Sequence, residues 1–273
     1  MIDRDCIEFL KWSLPRLRMR WQGFKKVRSQ VCKRISRRLA ELGLQNVSAY
    51  RQILEKNTAE WERLDSLCIV TISRFYRDRD VFLFLEKEVL AALWRDAEAH
   101  GERELRFWSI GCAAGEEPYT LALLGDLAMA DKYPALLITI LATDLDPVMI
   151  RRAEEGCYKS SSYTGLPAEW RKLAFLRKGE LSCIREEVRR RVTFLVQDIR
   201  ETVPEERFHL ILCRNIAFTY FDPSLQREVL ERINERLLPG GALVIGIHET
   251  LPEGYSSLKP WPGGRGIFRK EAA

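Results

Sequence analysis

Polar side chains capable of binding or chemistry cluster at four places, each directly after a short apolar run. The first is Phe107-Trp108-Ser109-Ile110-Gly111-Cys112-Ala113-Ala114-Gly115-Glu116-Glu117-Pro118-Tyr119. Its small residues let the backbone approach a ligand closely, and Pro118 suits the first turn of a helix whose free N–H groups point back at the loop. The run lacks the full G-x-G-x-x-G fingerprint, which argues against a dinucleotide. The second place, Ala142-Thr143-Asp144-Leu145-Asp146, puts Asp144 where an acid accepts hydrogen bonds from ribose hydroxyls. Asp146 stands before Pro147 and reads as a helix cap. The third and fourth are Gln197-Asp198-Ile199 and Cys213-Arg214-Asn215. Four successive strand ends carrying polar groups describe a pocket for an adenosine joined to an amino acid.

Such side chains converge only if parallel strands bring them to one edge of a sheet. The pattern predicts strands at Leu105 to Ile110, Leu136 to Ala142, Val192 to Val196, Leu210 to Cys213 and Ala242 to Ile247. Helices are expected between them at Glu117 to Met129, Pro147 to Glu155 and Ser224 to Leu237, the alternation of βαβ units with helices on both sheet faces. Residues 157 to 191 interrupt this rhythm with a polar loop, a helix around Ala168 to Leu176 and a hairpin centred on Lys178-Gly179. A final edge strand is expected at Ile267-Phe268.

The front of the chain reads differently. Apolar residues at Leu14, Leu17, Trp21, Phe24, Val31, Ile35, Leu39 and Leu42 step by three, four or seven and predict one long amphipathic helix ending near Gly43. Shorter helices are expected from Ser48 to Leu54 and from Ala59 to Leu67, and another from Val81 to Glu98. The reading is therefore a basic all-helical domain over residues 1–80, then an α/β domain over 81–273 with a small α/β-hairpin insertion at about 157–191.

Residues 11 to 38 hold eleven Lys or Arg and no acid, leaving 33 bases against 39 acids elsewhere in the 273 residues. A positive stripe on an otherwise acidic chain implies an acidic partner, with Arg34, Arg37 and Arg38 as docking candidates; the competing reading is a merely solvated helix face. Only Trp12, Trp21 and Phe24 are aromatic in that stretch, which argues against nucleic acid. The seven cysteines are scattered and never spaced C-x-x-C, so reduced thiols are expected rather than a disulfide framework or zinc site. Three separated histidines add no support for a metal. No run of eighteen apolar residues and no signal-like start is present, so no membrane insertion and a cytoplasmic location are expected.

The segments Thr71 through Asp78, Trp108 through Tyr119, Ala142 through Asp146, Cys213-Arg214-Asn215, Tyr220-Phe221-Asp222, Leu238-Pro239-Gly240-Gly241 and Gly246-Ile247-His248-Glu249 together resemble the CheR-type methyltransferases, which esterify glutamates on bacterial chemotaxis receptors. Their order and spacing cover nearly the whole chain. The resemblance implies a Rossmann-like class I methyltransferase domain preceded by a small all-α domain, with S-adenosyl-L-methionine as cofactor. It implies Gly111, Ala113 and Glu117 along the methionine end, Asp144 on the ribose, and Asp198 with Ile199 around the adenine. Arg214, with Asn215 beside it, would line the cofactor and substrate pocket, and Arg77 and Tyr220 would act at methyl transfer. For Arg77 the competing reading is a surface pair with Asp78 or Asp80. The implied acceptor is an acidic helical protein such as a chemoreceptor. Alternatives are a small carboxylic acid as acceptor, an RNA-binding protein, and a degenerate cofactor-binding scaffold.

Overall fold

The computed structural model describes residues 3–129, Tyr133 and residues 137–271. Two compact units emerge, Met1–Thr71 with Ile216–Gln226, and Ile72–Asn215 with Arg227–Ala273. The boundary expected at residue 80 thus moves to 71, because Phe75 and Tyr76 are buried in the core of the second unit.

In the first unit, α1 (Asp3–Ser13), α2 (Trp21–Phe24), α3 (Arg28–Glu41), α4 (Val47–Leu54) and α5 (Thr58–Cys68) surround Phe9, Leu10, Phe24, Val31, Ile35 and Tyr50. The single long helix expected from Leu14 onward is broken. Leu14–Leu17 is a 3-10 turn holding Pro15, Arg18 is left-handed with φ 56°, and Met19 forms a β-bridge with Phe221. α3 does end as expected, beside Gly43. α4 is capped by Asn46, whose side chain accepts from the Ala49 N–H at 3.0 Å, rather than by Ser48.

The second unit begins with α6 (Arg79–Phe84), which passes through a π-helical turn at Leu85–Val89 into α7 (Leu90–Ala99). Then come β1 (Glu104–Ile110), α8 (Glu116–Leu123), a further π-helical stretch at Leu124–Met129, β2 (Leu137–Asp144) and α9 (Pro147–Glu155). Leu136, the expected start of the second strand, lies outside the described residues. The insertion contributes β3 (Cys157–Tyr158), α10 (Ala168–Ala174), β4 (Phe175–Lys178), β5 (Leu181–Ile184) and α11 (Glu186–Arg189). β6 (Val192–Val196), β7 (Phe208–Cys213), α12 (Ala217–Tyr220), α13 (Pro223–Arg236), β8 (Leu237–Ile245), β9 (Leu258–Pro260) and β10 (Ile267–Lys270) complete the chain.

The main sheet has the order β6-β2-β1-β7-β8-β10-β9. Its first five strands are parallel, β10 pairs antiparallel with β8, and β9 pairs antiparallel with β10. β10 is therefore interior, and β9 is the edge that sequence reading gave to Ile267-Phe268. β7 is buried at every position, as a central parallel strand covered on both faces must be. The insertion forms its own sheet, β3-β5-β4, with the expected hairpin turning at Gly179.

The cysteines depart from expectation. Cys6 bridges to Cys32 and Cys157 to Cys183, with Cα atoms 6.0 and 4.0 Å apart. The second pair is directly opposed across β3 and β5. Cys68 and Cys112 are buried free thiols, and Cys213 is buried at the end of β7. Pairing was invisible in the spacing because it depends on which helices and strands become neighbours.

Candidate functional site

Because β1, β2, β6 and β7 are parallel neighbours, their carboxyl ends share one edge of the sheet, where an open α/β fold binds ligands. The loop after β1 is tied to β2 by the Gly111 and Cys112 N–H groups, which donate to the Thr143 carbonyl at 2.7 and 3.0 Å. Ala113 follows in the left-handed region at φ 49°, and its N–H donates to Asp144 Oδ2 at 2.9 Å. Gly115 has φ 91°, and a Cβ there would lie 3.0 Å from the Ala153 Cβ and 3.1 Å from the Tyr158 hydroxyl, so both backbone conformation and crowding disfavour a side chain. Tyr158 donates to the Ala114 carbonyl at 2.5 Å.

Asp144 is 8% exposed. Its Oδ1 accepts the Asp146 N–H at 2.9 Å, and burial pushes its carboxyl up against the pull of these N–H groups. The N–H groups of Ala113, Asp146 and Leu145 leave the carboxylate with acceptor capacity for a hydroxyl. Asp146 caps α9 through Val148 and Met149, as its place before Pro147 predicted. At the end of β6, Asp198 is chelated by Arg200, whose Nε lies 3.0 and 2.9 Å from its two oxygens and whose Nη2 donates at 2.7 Å. Ile199 is buried, and its carbonyl accepts from Arg232 at 2.9 Å.

At the end of β7, Arg214 donates through Nη1 to Glu117 Oε2 at 2.9 Å. Its Nη2 reaches Asp78 Oδ2 at 2.5 Å and the Arg77 carbonyl at 3.1 Å. Glu117 also accepts from Ser109 Oγ at 2.9 Å. Asn215 is left-handed at φ 58°, and its N–H donates to Glu249 Oε2 at 2.9 Å. Arg77 donates to the Ile72 carbonyl at 2.7 Å, while the acid next to it, Asp78, pairs with Arg214.

Hydrogen bonds thus join Ala113 to Asp144, and Glu117 to Arg214 and the Arg77 segment. Gly111 shares the Thr143 contact, and Asp198, Ile199 and Asn215 stand at the neighbouring strand ends. Tyr220 belongs to the first unit, where its ring lies 5.0 Å from Phe24 and its carbonyl accepts the Arg20 N–H. Asp78, Ser109 and Glu249 carry contacts that sequence reading assigned no role. All three lie inside the segments that carry the family resemblance, and that position was the available signal.

S-adenosylmethionine offers an ammonium, ribose hydroxyls and an adenine amino group, all donors. The strand ends present the carboxylates of Glu117, Asp144 and Asp198. Gln197 Oε1 is also buried there, with no partner among the described residues. This acceptor-rich edge fits the cofactor.

A family model described as the SAM binding domain of CheR methyltransferase matches residues 71–263, and one described as its all-alpha domain matches residues 25–65. The chain belongs to the CheR methyltransferase family. This CheR-family chain is an S-adenosylmethionine-dependent methyltransferase with a class I Rossmann-like fold. It is 33% identical over 198 residues to a chemotaxis protein methyltransferase of Listeria innocua, covering 72% of each chain. It is 29% identical to that of Borreliella burgdorferi, over 80% of this chain and 78% of the relative. It is 30% identical to that of Salmonella typhimurium, over 82% and 76%. No helix among the described residues of the CheR-family chain is long and apolar enough to cross a membrane.

Proposed function

We propose that this methyltransferase esterifies glutamate side chains of a chemotaxis receptor in the cytoplasm. The observation that carries the reading is the match, over most of both chains, to relatives named as chemotaxis protein methyltransferases. A glutamate side chain in water loses its proton near pH about 4.3 and is an anionic nucleophile at neutral pH, so no general base is needed. S-adenosylmethionine supplies an electrophilic methyl group. The chain's task is alignment, worth up to about 7 to 11 kcal/mol in well-oriented cases.

Gly111, Ala113 and Glu117 hold the methionine end, Asp144 the ribose, and Asp198 with Ile199 the adenine, flanked by Arg214 and Asn215. Arg77 orients the acceptor carboxylate, and Tyr220 keeps the role of its motif in methyl transfer. A cavity of about 440 Å³, lined by Asp78, the residue after Arg77, and by Arg79, Phe84, Ile247 and Arg265 among others, supports room for an acceptor side chain with an apolar stem. The basic helical unit recognises the acidic helical receptor.

The test is methyl-label transfer from S-adenosylmethionine to a purified receptor cytoplasmic fragment. Label that leaves the protein as methanol in mild alkali is expected, since carboxyl methyl esters hydrolyse there and N-methyl groups do not. Alkali-stable label, or label found only in small molecules, would overturn the reading.

A further inference from the structure

The segment carrying Arg77 is held in a costly shape. Tyr76 and Asp78 both lie in the left-handed region, at φ 58° and 59°, and neither is glycine. A non-glycine residue keeps that conformation only where surrounding contacts over-determine it. Those contacts are present on both sides of Arg77. The Tyr76 N–H donates to Thr120 Oγ1 at 3.1 Å and the Phe75 N–H to the Ser162 carbonyl at 3.0 Å. On the other side, one nitrogen of Arg214 bonds both the Arg77 carbonyl and the Asp78 carboxylate.

The Arg214 side chain is 2% exposed and packs over the Phe82 ring at 5.3 Å. Both of its terminal nitrogens are committed to protein acceptors, and its Nε is buried without a partner among the described residues. A guanidinium so occupied serves the protein around it before any ligand. Its planar fork bridges two carboxylates on different elements, Asp78 before α6 and Glu117 in the first turn of α8, a geometry that lysine cannot reproduce.

We propose that Arg214 and Asp78 are positioning residues for methyl transfer: their ion pair clamps the Tyr76–Asp78 turn so that Arg77 is presented to the acceptor. The inference rests on the reading of Arg77 as the residue that orients the acceptor. Displacing such a group by an ångström lowers turnover without touching the cofactor's own contacts.

The test compares Asp78→Gly, Asp78→Asn, Arg214→Lys and Arg77→Ala, using the receptor cytoplasmic fragment as acceptor and calorimetry for cofactor binding. Glycine accepts the left-handed conformation freely, so Asp78→Gly removes the clamp without adding strain. Its kcat is expected to fall about tenfold or more while cofactor Kd stays within about twofold, the pattern of an interaction felt in the transition state rather than in cofactor binding. Asp78→Asn still tolerates the conformation and offers Arg214 a neutral acceptor, so it should recover part of that loss. Arg214→Lys should resemble Asp78→Gly in turnover. Wild-type kcat in Asp78→Gly, or cofactor affinity falling in step with kcat, would overturn the clamp. Should Asp78→Gly not fold, the same two criteria apply to Asp78→Asn, with a loss of about threefold expected for a weakened but retained hydrogen bond. Normal turnover in Arg77→Ala would overturn the reading of Arg77 itself, and an inactive Arg77→Ala beside a fully active Asp78→Gly would overturn the clamp alone.

Discussion

Glu116 and Glu117 are adjacent in sequence and opposite in circumstance. Glu117 has both oxygens hydrogen-bonded, to Ser109 and Arg214, whereas Glu116 is 6% exposed with Oε2 buried and unpartnered among the described residues. Burial pushes the Glu116 carboxyl above its ordinary range, and its own backbone N–H, a Ser73 hydrogen bond and Arg152 offset only part of that. A raised folded pKa means that the unfolded chain releases this proton first, so stability is lost as pH rises from the ordinary carboxylate value toward the folded one. Each unit of elevation costs about 1.4 kcal/mol above that window. Glu116→Gln is therefore expected to raise the melting temperature at pH 7.5, by about 2 to 4 °C per kcal/mol recovered, with the gain shrinking at pH 4. Thermal unfolding at the two pH values checks this, and an equal effect at both would place the cause in packing rather than ionisation. The sequence showed which acids stood at strand ends, and Asp146 was readable as a cap because its partners are two and three residues away. It could not show that Asp78 pairs with Arg214, 136 residues distant, or that Glu249 holds Asn215, because those contacts exist only after the strands align.

The helices of the first unit put part of their positive charge inside. Arg38 donates to both oxygens of Glu60, at 2.9 and 2.7 Å, and the buried Tyr50 hydroxyl donates to the same carboxylate at 2.6 Å. These bonds, from Arg38 first, hold Glu60 below its ordinary 4.5 despite its burial. Its stabilisation of the unit is complete above that value and is lost as pH falls through the depressed folded pKa. Glu60→Gln should cost about 1 to 3 kcal/mol at neutral pH and progressively less in acid, read from denaturant unfolding across pH. A pH-independent cost would mean that the pair contributes by shape alone. Arg34 likewise turns inward, donating to the carbonyls of Leu67 and Ile69 near the end of α5, and Arg20 to those of Phe218 and Thr219. Element positions survive sequence reading best where one period dominates: β6 and α9 run as expected. The stripe from Leu14 to Leu42 kept its period across a left-handed residue because the 3-10 turn, α2 and α3 all face one core, and periodicity does not register a change of axis.

Across the whole chain, the bases of residues 11–38 divide into those that build the first unit and those that face water. Arg34 and Arg38, two of the three expected to dock a partner, belong to the builders, so reversing their charge would test folding rather than recognition. Lys25, Lys26, Lys33 and Arg37 remain exposed, and Lys33 and Arg37 stand one turn apart on α3. Exposed charges act over about 8 Å at physiological salt, so they chiefly speed and orient the encounter with an acidic surface. If the acceptor is an acidic helical receptor, Lys26→Glu, Lys33→Glu and Arg37→Glu together should raise its KM about tenfold at low salt, as steering is replaced by repulsion. Cofactor affinity should be unchanged, because the carboxylates proposed to hold the cofactor belong to the other unit. Raising the salt should weaken the wild type toward the variant and narrow the gap between them, since screening removes attraction and repulsion alike. A small-molecule acceptor would be indifferent to both changes. If the folded triple variant methylates the receptor fragment with wild-type KM at low salt, these side chains are only a solvated face and recognition lies elsewhere on the enzyme.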